Sequence, residues 1–211
     1  AMKLGLVGSE MCIRDSLESL KNIDGVFKVK SEIVKNIKKN GFLVVPNDNK
    51  KHLNKWKKMR SDITTISFGM KDDSDFYPID VKIKQNGLSF LVTSRLLEKP
   101  IKISSSLEGV HNVKNILSAC AVHYCLGQNP QDFSKSISLS KLDNLRQVKY
   151  KWLKGSTLID DSYNANPDST KKSIDLLSNY NKKTVLLLGD MLELGRYKNK
   201  LHKEVGELSL I

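Results

Sequence analysis

No apolar run in the 211 residues approaches the ~20 residues that a membrane-spanning helix needs. Residues 1–14 do not read as a signal peptide either: the charged start is minimal, and Gly5, Gly8, Ser9 and Glu10 interrupt any apolar stretch before Arg14. Cysteines number three, an odd count, and no two stand in C-x-x-C spacing. That argues against a zinc knuckle, a redox pair or a disulfide framework, and for free thiols in a reducing compartment. Cys120, His123 and Cys125 share one apolar segment, but on a helix the three side chains point to different faces, which disfavours a metal site. Aromatic residues make up only 7%, and neither a recognition helix nor an aromatic platform accompanies the basic residues.

Basic residues are abundant. Lys and Arg total 35 against 23 acidic residues, a formal net charge of +12. Such a charge suits nucleic acid, anionic lipid or polyphosphate. Lys far outnumbers Arg, however, and is scattered end to end among Asn and Ile. That is the pattern of an AT-rich coding sequence rather than of a localised binding face. A basic nucleic-acid- or polyphosphate-binding module is the alternative reading of the charge. With 39% hydrophobic residues the chain has enough apolar material for a buried core, and its length suits one domain and a fraction, or two small ones.

Residues 1–16, AMKLGLVGSEMCIRDS, show no sustained period. They are read as a non-native segment of the kind that sequencing-adapter read-through leaves, and the closing residues 208–211 as a second such junction. Order begins near Leu17. Val26, Val29, Ile33 and Ile37 recur at helical spacing, which predicts a helix over 24–39 ended by Asn40-Gly41. Residues 42–45 and 63–68 read as short strands, and 51–60 as a basic helix or loop. Val81 and Ile83, then Leu88, Phe90 and Val92, alternate about Asn86-Gly87, a strong hairpin signal. Residues 101–103 extend that antiparallel sheet. Helices are expected at 113–126 and from 133 to 139. Further on, strands are expected at 152–153, 157–161 and 184–188, and helices at 169–178 and 201–208. That β-α-β-α order is the signature of a parallel sheet.

Three polar segments carry chemistry. In Glu108-Gly109-Val110-His111-Asn112-Val113-Lys114-Asn115, a glycine turn opens a helix on which Asn112 and Asn115, three apart, share a face. Asn amides offer donor and acceptor together and suit a purine edge, although an Asn N-cap with His111 in the turn explains the same residues. In the stretch from Ile159 to Ser169 an apolar strand runs into Asp160-Asp161-Ser162-Tyr163-Asn164, then a helix. Ligands of open α/β sheets sit at strand carboxyl ends, and a carboxylate there suits ribose hydroxyls; an Asx-rich capping turn is the plainer account. Gly189-Asp190-Met191-Leu192-Glu193-Leu194-Gly195, with His202 downstream, again follows an apolar run.

Taken in order, HNVKN, DDSYNANPDS and LLLGDMLELG with LHKEVGEL resemble successive signatures of the Mur ligase family, and the last two those of its D-alanyl-D-alanine-adding members. LESLKNIDGVFKVKSEIV is similar to the family's central-domain helix, so the resemblance covers roughly residues 17–207. It implies an α/β fold: the C-terminal part of an ATPase domain, a mixed sheet with helices, over 17–146, then a Rossmann-like parallel-sheet ligase domain over 147–211. The implied activity is ATP-dependent addition of D-alanyl-D-alanine to UDP-N-acetylmuramoyl-tripeptide through an acyl phosphate, with Mg2+, in a cytoplasmic monomer that engages neither nucleic acid nor membrane.

The resemblance assigns roles residue by residue. Lys30 matches the lysine carried as a carbamate, a carboxylate-like ligand for Mg2+. His111, Asn112 and Asn115 match positions at the adenine, and Asp161, with Asp160 as alternate, the ribose. Tyr163 and Asn164 line the same pocket, and Arg146 matches an arginine that reaches the phosphates. Asp190, Glu193 and His202 are candidates for the dipeptide side. Three departures stand out: Leu145 where the family carries Gly, Val110 where it carries Arg, and Ser16 where it carries His. No G-x-x-x-x-G-K-[ST] phosphate loop occurs in the 211 residues, which predicts no ligation by this chain alone.

Overall fold

The computed structural model describes residues 23–84, 87–139, 147–180, 182–192 and 194–209. Residues 1–16, Asn86, Arg146 and Glu193 lie outside them, as do Leu210 and Ile211. The chain divides into two compact units, one of residues 37–143 and the other of 1–36 with 144–211.

Helix α1 covers Ile23–Ser31 and tightens into a 3-10 turn over Glu32–Asn36. The α geometry thus ends well short of the expected residue 39. At the change the Ser31 hydroxyl donates to Lys28 O at 2.6 Å, a local bond that competes with the helical ladder.

Within unit 37–143, β1 (Phe42–Pro46) and β2 (Thr64–Phe68) pair in parallel, joined by helix α2 (Lys50–Lys57). Asn49 caps α2, its Oδ1 accepting from the Lys51 and His52 amides. Strands β3 (Tyr77–Lys84), β4 (Gly87–Thr93) and β5 (Ile101–Ser105) form an antiparallel meander in that order. The expected hairpin is present, although Asn86 of its turn is outside the described residues. On β4 the alternation expected from sequence buries Leu88, Phe90 and Val92. Outer strand β3 shifts register between Ile79 and Lys82, where Asp80 takes φ 54°, and beyond this bulge its residues are exposed on both faces.

Helix α3 (Val110–Cys125) lies on β1 and β2, and α4 (Pro130–Leu139) on β5. One cluster unites them: Ile66, Phe76, the inner residues of β4 and β5, Val113, Ile116, Leu117, Cys120, Ala121 and Phe133. Truncating a fully buried member such as Leu117 to Ala removes about 2–5 kcal/mol.

In the other unit, β6 (Val148–Lys151) and β7 (Thr157–Asp160) pair antiparallel. Trp152 and Leu153 are not a strand but the connection between them: Leu153–Gly155 forms a 3-10 turn with Lys154 at φ 55° and Gly155 at φ 75°. Two successive left-handed residues reverse the chain, and Trp152 N and Ser156 O close the turn at 2.9 Å.

Helix α5 (Pro167–Ser178) begins on a reciprocal capping box, Asn166 Oδ1 accepting from Ser169 N and Ser169 Oγ accepting from Asn166 N. This cap contributes about 1 kcal/mol. Residues 184–188 are not assigned as a strand. They lack ladder partners among the described residues, and Val185 and Leu187 are 81% and 93% exposed. The apolar composition is that of a strand, but without hydrogen-bonded neighbours the backbone forms no ladder. Helix α6 (Lys198–Leu208) closes the unit, packing Leu201 and Val205 with Met191 and Leu194.

Candidate functional site

Parallel strands deliver their carboxyl ends to one side of a sheet, and in unit 37–143 that side collects polar residues. Asn47 and Asp48 directly follow β1. The Asn47 side-chain amide donates to Asp73 O at 3.2 Å, Asp73 Oδ1 at 3.0 Å and Ser74 Oγ at 3.2 Å. Its Oδ1 is buried and accepts no hydrogen bond among the described residues. Lys114 of α3 donates to both oxygens of Asp48 at 2.6 Å, so the first turns of α3 are tied to the end of β1. The pair is partly exposed and contributes at most about 1 kcal/mol; its importance is geometric.

Gly109 precedes α3 at φ 86°, and a Cβ there would stand 2.7 Å from the His111 ring. Only glycine fits both the backbone and the contact. Asn112 is 5% exposed and donates to Glu108 O at 2.7 Å. Its Oδ1 accepts from Asn115 Nδ2 at 3.1 Å. The two asparagines therefore share a face, as their spacing predicts, but differ in what they offer. Asn112 is committed inside the protein, whereas exposed Asn115 keeps its Oδ1 and one N–H outward. A fixed amide with one donor and one acceptor suits the edge of a purine.

Sequence reasoning missed the bracing beneath this site. Asp75, 7% exposed, accepts from the Ser67 amide at 2.8 Å, the Ser67 hydroxyl at 2.6 Å and Arg95 Nη2 at 2.5 Å. Burial pushes its carboxyl up, but the Ser67 hydroxyl and amide with the Arg95 guanidinium outweigh it and hold the group below the usual carboxylate range. PNDN after a buried strand was a legible signal for Asn47 and Asp48, being the same strand-end logic applied at Asp160. The bond from Asp75 to Arg95, 20 residues on, leaves no local trace.

In the unit that holds 147–209, Asp160 and Asp161 are half-buried at the end of β7. Asp160 Oδ1 accepts from Ser162 N at 3.1 Å, an Asx turn, and Asp161 Oδ2 accepts from the Ser173 hydroxyl at 2.5 Å. The capping account thus holds for Asp160 and Asn166, while Asp161 is pinned from α5. Tyr163 and Asn164 are exposed in the same loop. Asp190 is exposed, with Lys198 Nζ at 3.3 Å and His202 Nε2 at 3.6 Å. Lys30 is half-buried in the last turn of α1. Arg146 and Glu193 fall outside the described residues.

Cys120 is buried and Cys125 half-buried, both as free thiols. Burial pushes them up to about 12 and about 11 respectively. His123 Nε2 lies 2.8 Å from Asn129 O, and among the described residues no group of three His, Cys, Asp or Glu side chains is placed to hold a metal. No described helix is long and apolar enough to cross a membrane.

A profile of the Mur ligase middle domain matches residues 13–123, more than half of the chain. The chain belongs to the Mur ligase family. A profile of the Mur ligase glutamate ligase domain matches residues 145–209 of this Mur ligase. The UDP-N-acetylmuramoyl-tripeptide–D-alanyl-D-alanine ligase of Bacillus subtilis (strain 168) is 32% identical over 193 residues, covering 90% of this chain and 40% of the relative. That of Haemophilus influenzae is 32% identical over 191 residues, with the same coverage. Among solved structures, MurF of Acinetobacter baumannii superimposes with a TM-score of 0.84 at 24% identity, covering 93% of this chain and 42% of that one. MurF of Thermotoga maritima in complex with ADP gives 0.79 at 22% identity, covering 92% and 44%. The Mur ligase chain thus spans about 40% of the length of the curated relatives it matches, and the structural likeness bears out the α/β fold implied by its motifs.

Proposed function

We propose that this chain is the middle-to-C-terminal part of an ATP-dependent ligase that joins D-alanyl-D-alanine to UDP-N-acetylmuramoyl-tripeptide in the making of peptidoglycan precursor. The carrying observation is the Asn112–Asn115 relay, which holds one outward amide at the opening of α3. Sequence identity to ligases of that name over 90% of the chain supports the choice within the family.

In this reading Asn115 takes the adenine edge, Asn112 positions it, and the His111 ring covers Gly109 beside them. The outward donor and acceptor on Asn115 fit an adenine nucleotide. Asp161, held by Ser173, receives ribose hydroxyls, with Asp160 as alternate and Tyr163 and Asn164 lining the pocket. Arg146 serves the phosphates, and Lys30, as a carbamate, provides an oxygen ligand for Mg2+. Asp190, Glu193 and His202 belong to the dipeptide side. Bound ATP with Mg2+ supplies the phosphoryl group that activates the substrate carboxylate. The protein's share is to orient the acid and amine and to exclude water. The boundary between the ATPase part and the ligase part is placed at 146–147, and the enzyme is a cytoplasmic monomer.

Saturation-transfer NMR of the 211-residue chain with adenosine and ADP tests the core of this reading. Transfer to the adenine protons is expected. Asn115→Ala should weaken binding on the order of tenfold, the worth of a hydrogen bond or two, while the chain stays folded with a lowered melting temperature, because Asn112 Oδ1 loses its donor. Equal binding by the variant, or displacement of the nucleotide by random DNA with steep salt dependence, would overturn it in favour of a basic binding surface.

A further inference from the structure

His202 stands on α6 against residues 189–192. Its Nδ1 lies 2.9 Å from Lys198 O, and its Nε2 lies 3.0 Å from the Met191 amide nitrogen. A carbonyl oxygen only accepts, so Nδ1 carries a proton; an amide N–H only donates, so Nε2 is bare. Both contacts are satisfied together only by the neutral Nδ1–H tautomer.

The amide it receives is not free to turn to water. Met191 is 3% exposed, packs with Leu194, Leu201 and Val205, and takes the Thr170 hydroxyl on its sulfur at 3.8 Å. The imidazole itself is 28% exposed, so protons reach it. Charged neighbours are few. Asp190 Oδ1 lies 3.6 Å from Nε2, and Lys198 Nζ lies 3.3 Å from Asp190 Oδ2. Lys171 of α5 is engaged with Glu204, and Lys203 with Glu207, while the Arg196 guanidinium lies over the Tyr197 ring. Glu193 is outside the described residues.

We propose that His202 is a positioning residue that works as a proton-operated latch on residues 189–192. Neutral, it holds the Met191 amide and fixes how Asp190 is presented. Protonated, it has no lone pair at Nε2, and two N–H groups face each other across 3.0 Å. The charge gains an attraction to Asp190, but that carboxylate is 66% exposed and already shared with Lys198. Stranding a buried donor costs more than a solvent-exposed pair returns, so protonation opens the loop. The loop's place beside the dipeptide rests on the ligase reading; the latch does not, and its test needs no substrate.

Amide hydrogen exchange of the 211-residue chain, corrected for the intrinsic rate at each pH, reads the latch at Met191. Between about pH 8 and about pH 5, where imidazoles change charge, its protection should fall on the order of tenfold while that of the Val205 amide in α6 holds. His202→Gln keeps an acceptor that does not titrate, so its Met191 protection should stay flat with pH. His202→Leu should be low throughout. Constant wild-type protection, a fall in step with Val205, or a His202→Gln variant that follows the wild type would each overturn the latch. Should a variant not fold, the wild-type comparison of Met191 with Val205 decides alone.

Discussion

Replacing Asp75 with alanine should destabilise unit 37–143 more than any other change in its polar network. The carboxylate is the only acceptor described for the buried Ser67 amide, and it also accepts from the Ser67 hydroxyl and from Arg95. Ser67 is 1% exposed, so its orphaned N–H costs about 1–3 kcal/mol. The Arg95 side chain is 78% exposed and returns to water, which adds at most about 1 kcal/mol. Together the loss is about 1–4 kcal/mol. With a urea slope of about 2 kcal/mol per molar, the midpoint should fall by about 0.5–2 M.

Trp56 lies half-buried in α2 and reports this unit once the exposed Trp152 of the other unit is replaced by Phe. Arg95→Ala in the same background should shift the midpoint far less. The folded carboxyl is held below its unfolded value. Its stabilisation is therefore complete above the usual carboxylate range, near pH 4, and is lost as pH falls through the folded value. The gap between wild type and Asp75→Ala should be constant above about pH 5 and close in acid. Equal midpoints for Asp75→Ala and Arg95→Ala, or a gap that does not close, would refute the reasoning.

Gly109→Ala should destabilise the same unit by about 1–3 kcal/mol, because alanine at φ 86° is strained and its Cβ meets the His111 ring; a melting temperature equal to wild type would contradict this. The thiols offer a further check. With Cys120 pushed up to about 12 by burial, alkylation near pH 8 should be on the order of a hundredfold slower in the folded chain than in urea. Peptide-level mass spectrometry reads that ratio, and equal rates would mean that the α3 core opens readily.

Much of this architecture is legible where one periodicity meets one burial face. Leu88, Phe90 and Val92 alternate because β4 has a strand on either side and helices over one face. Val113, Ile116, Leu117 and Cys120 follow helical spacing because one side of α3 is core. Periodicity misleads where apolar residues have no such face: Trp152 and Leu153 sit exposed in a turn, and 184–188 reads as a strand without a ladder. Of the site, spacing predicts that Asn112 and Asn115 meet, but not that one is buried and the other outward, since that depends on Glu108 O. Contacts such as Asp75 with Arg95 and His202 with the Met191 amide join residues 20 and 11 apart, and no single-chain pattern records them.

The division of the chain also bears on how it is made. One unit is a single uninterrupted stretch, 37–143, whereas the described residues of the other come from both sides of it, 23–36 and 147–209. Every side chain of the larger core lies between Val44 and Ile137. During synthesis from the amino terminus, that core has all its parts before residue 144 is translated, and domains fold as units in that order.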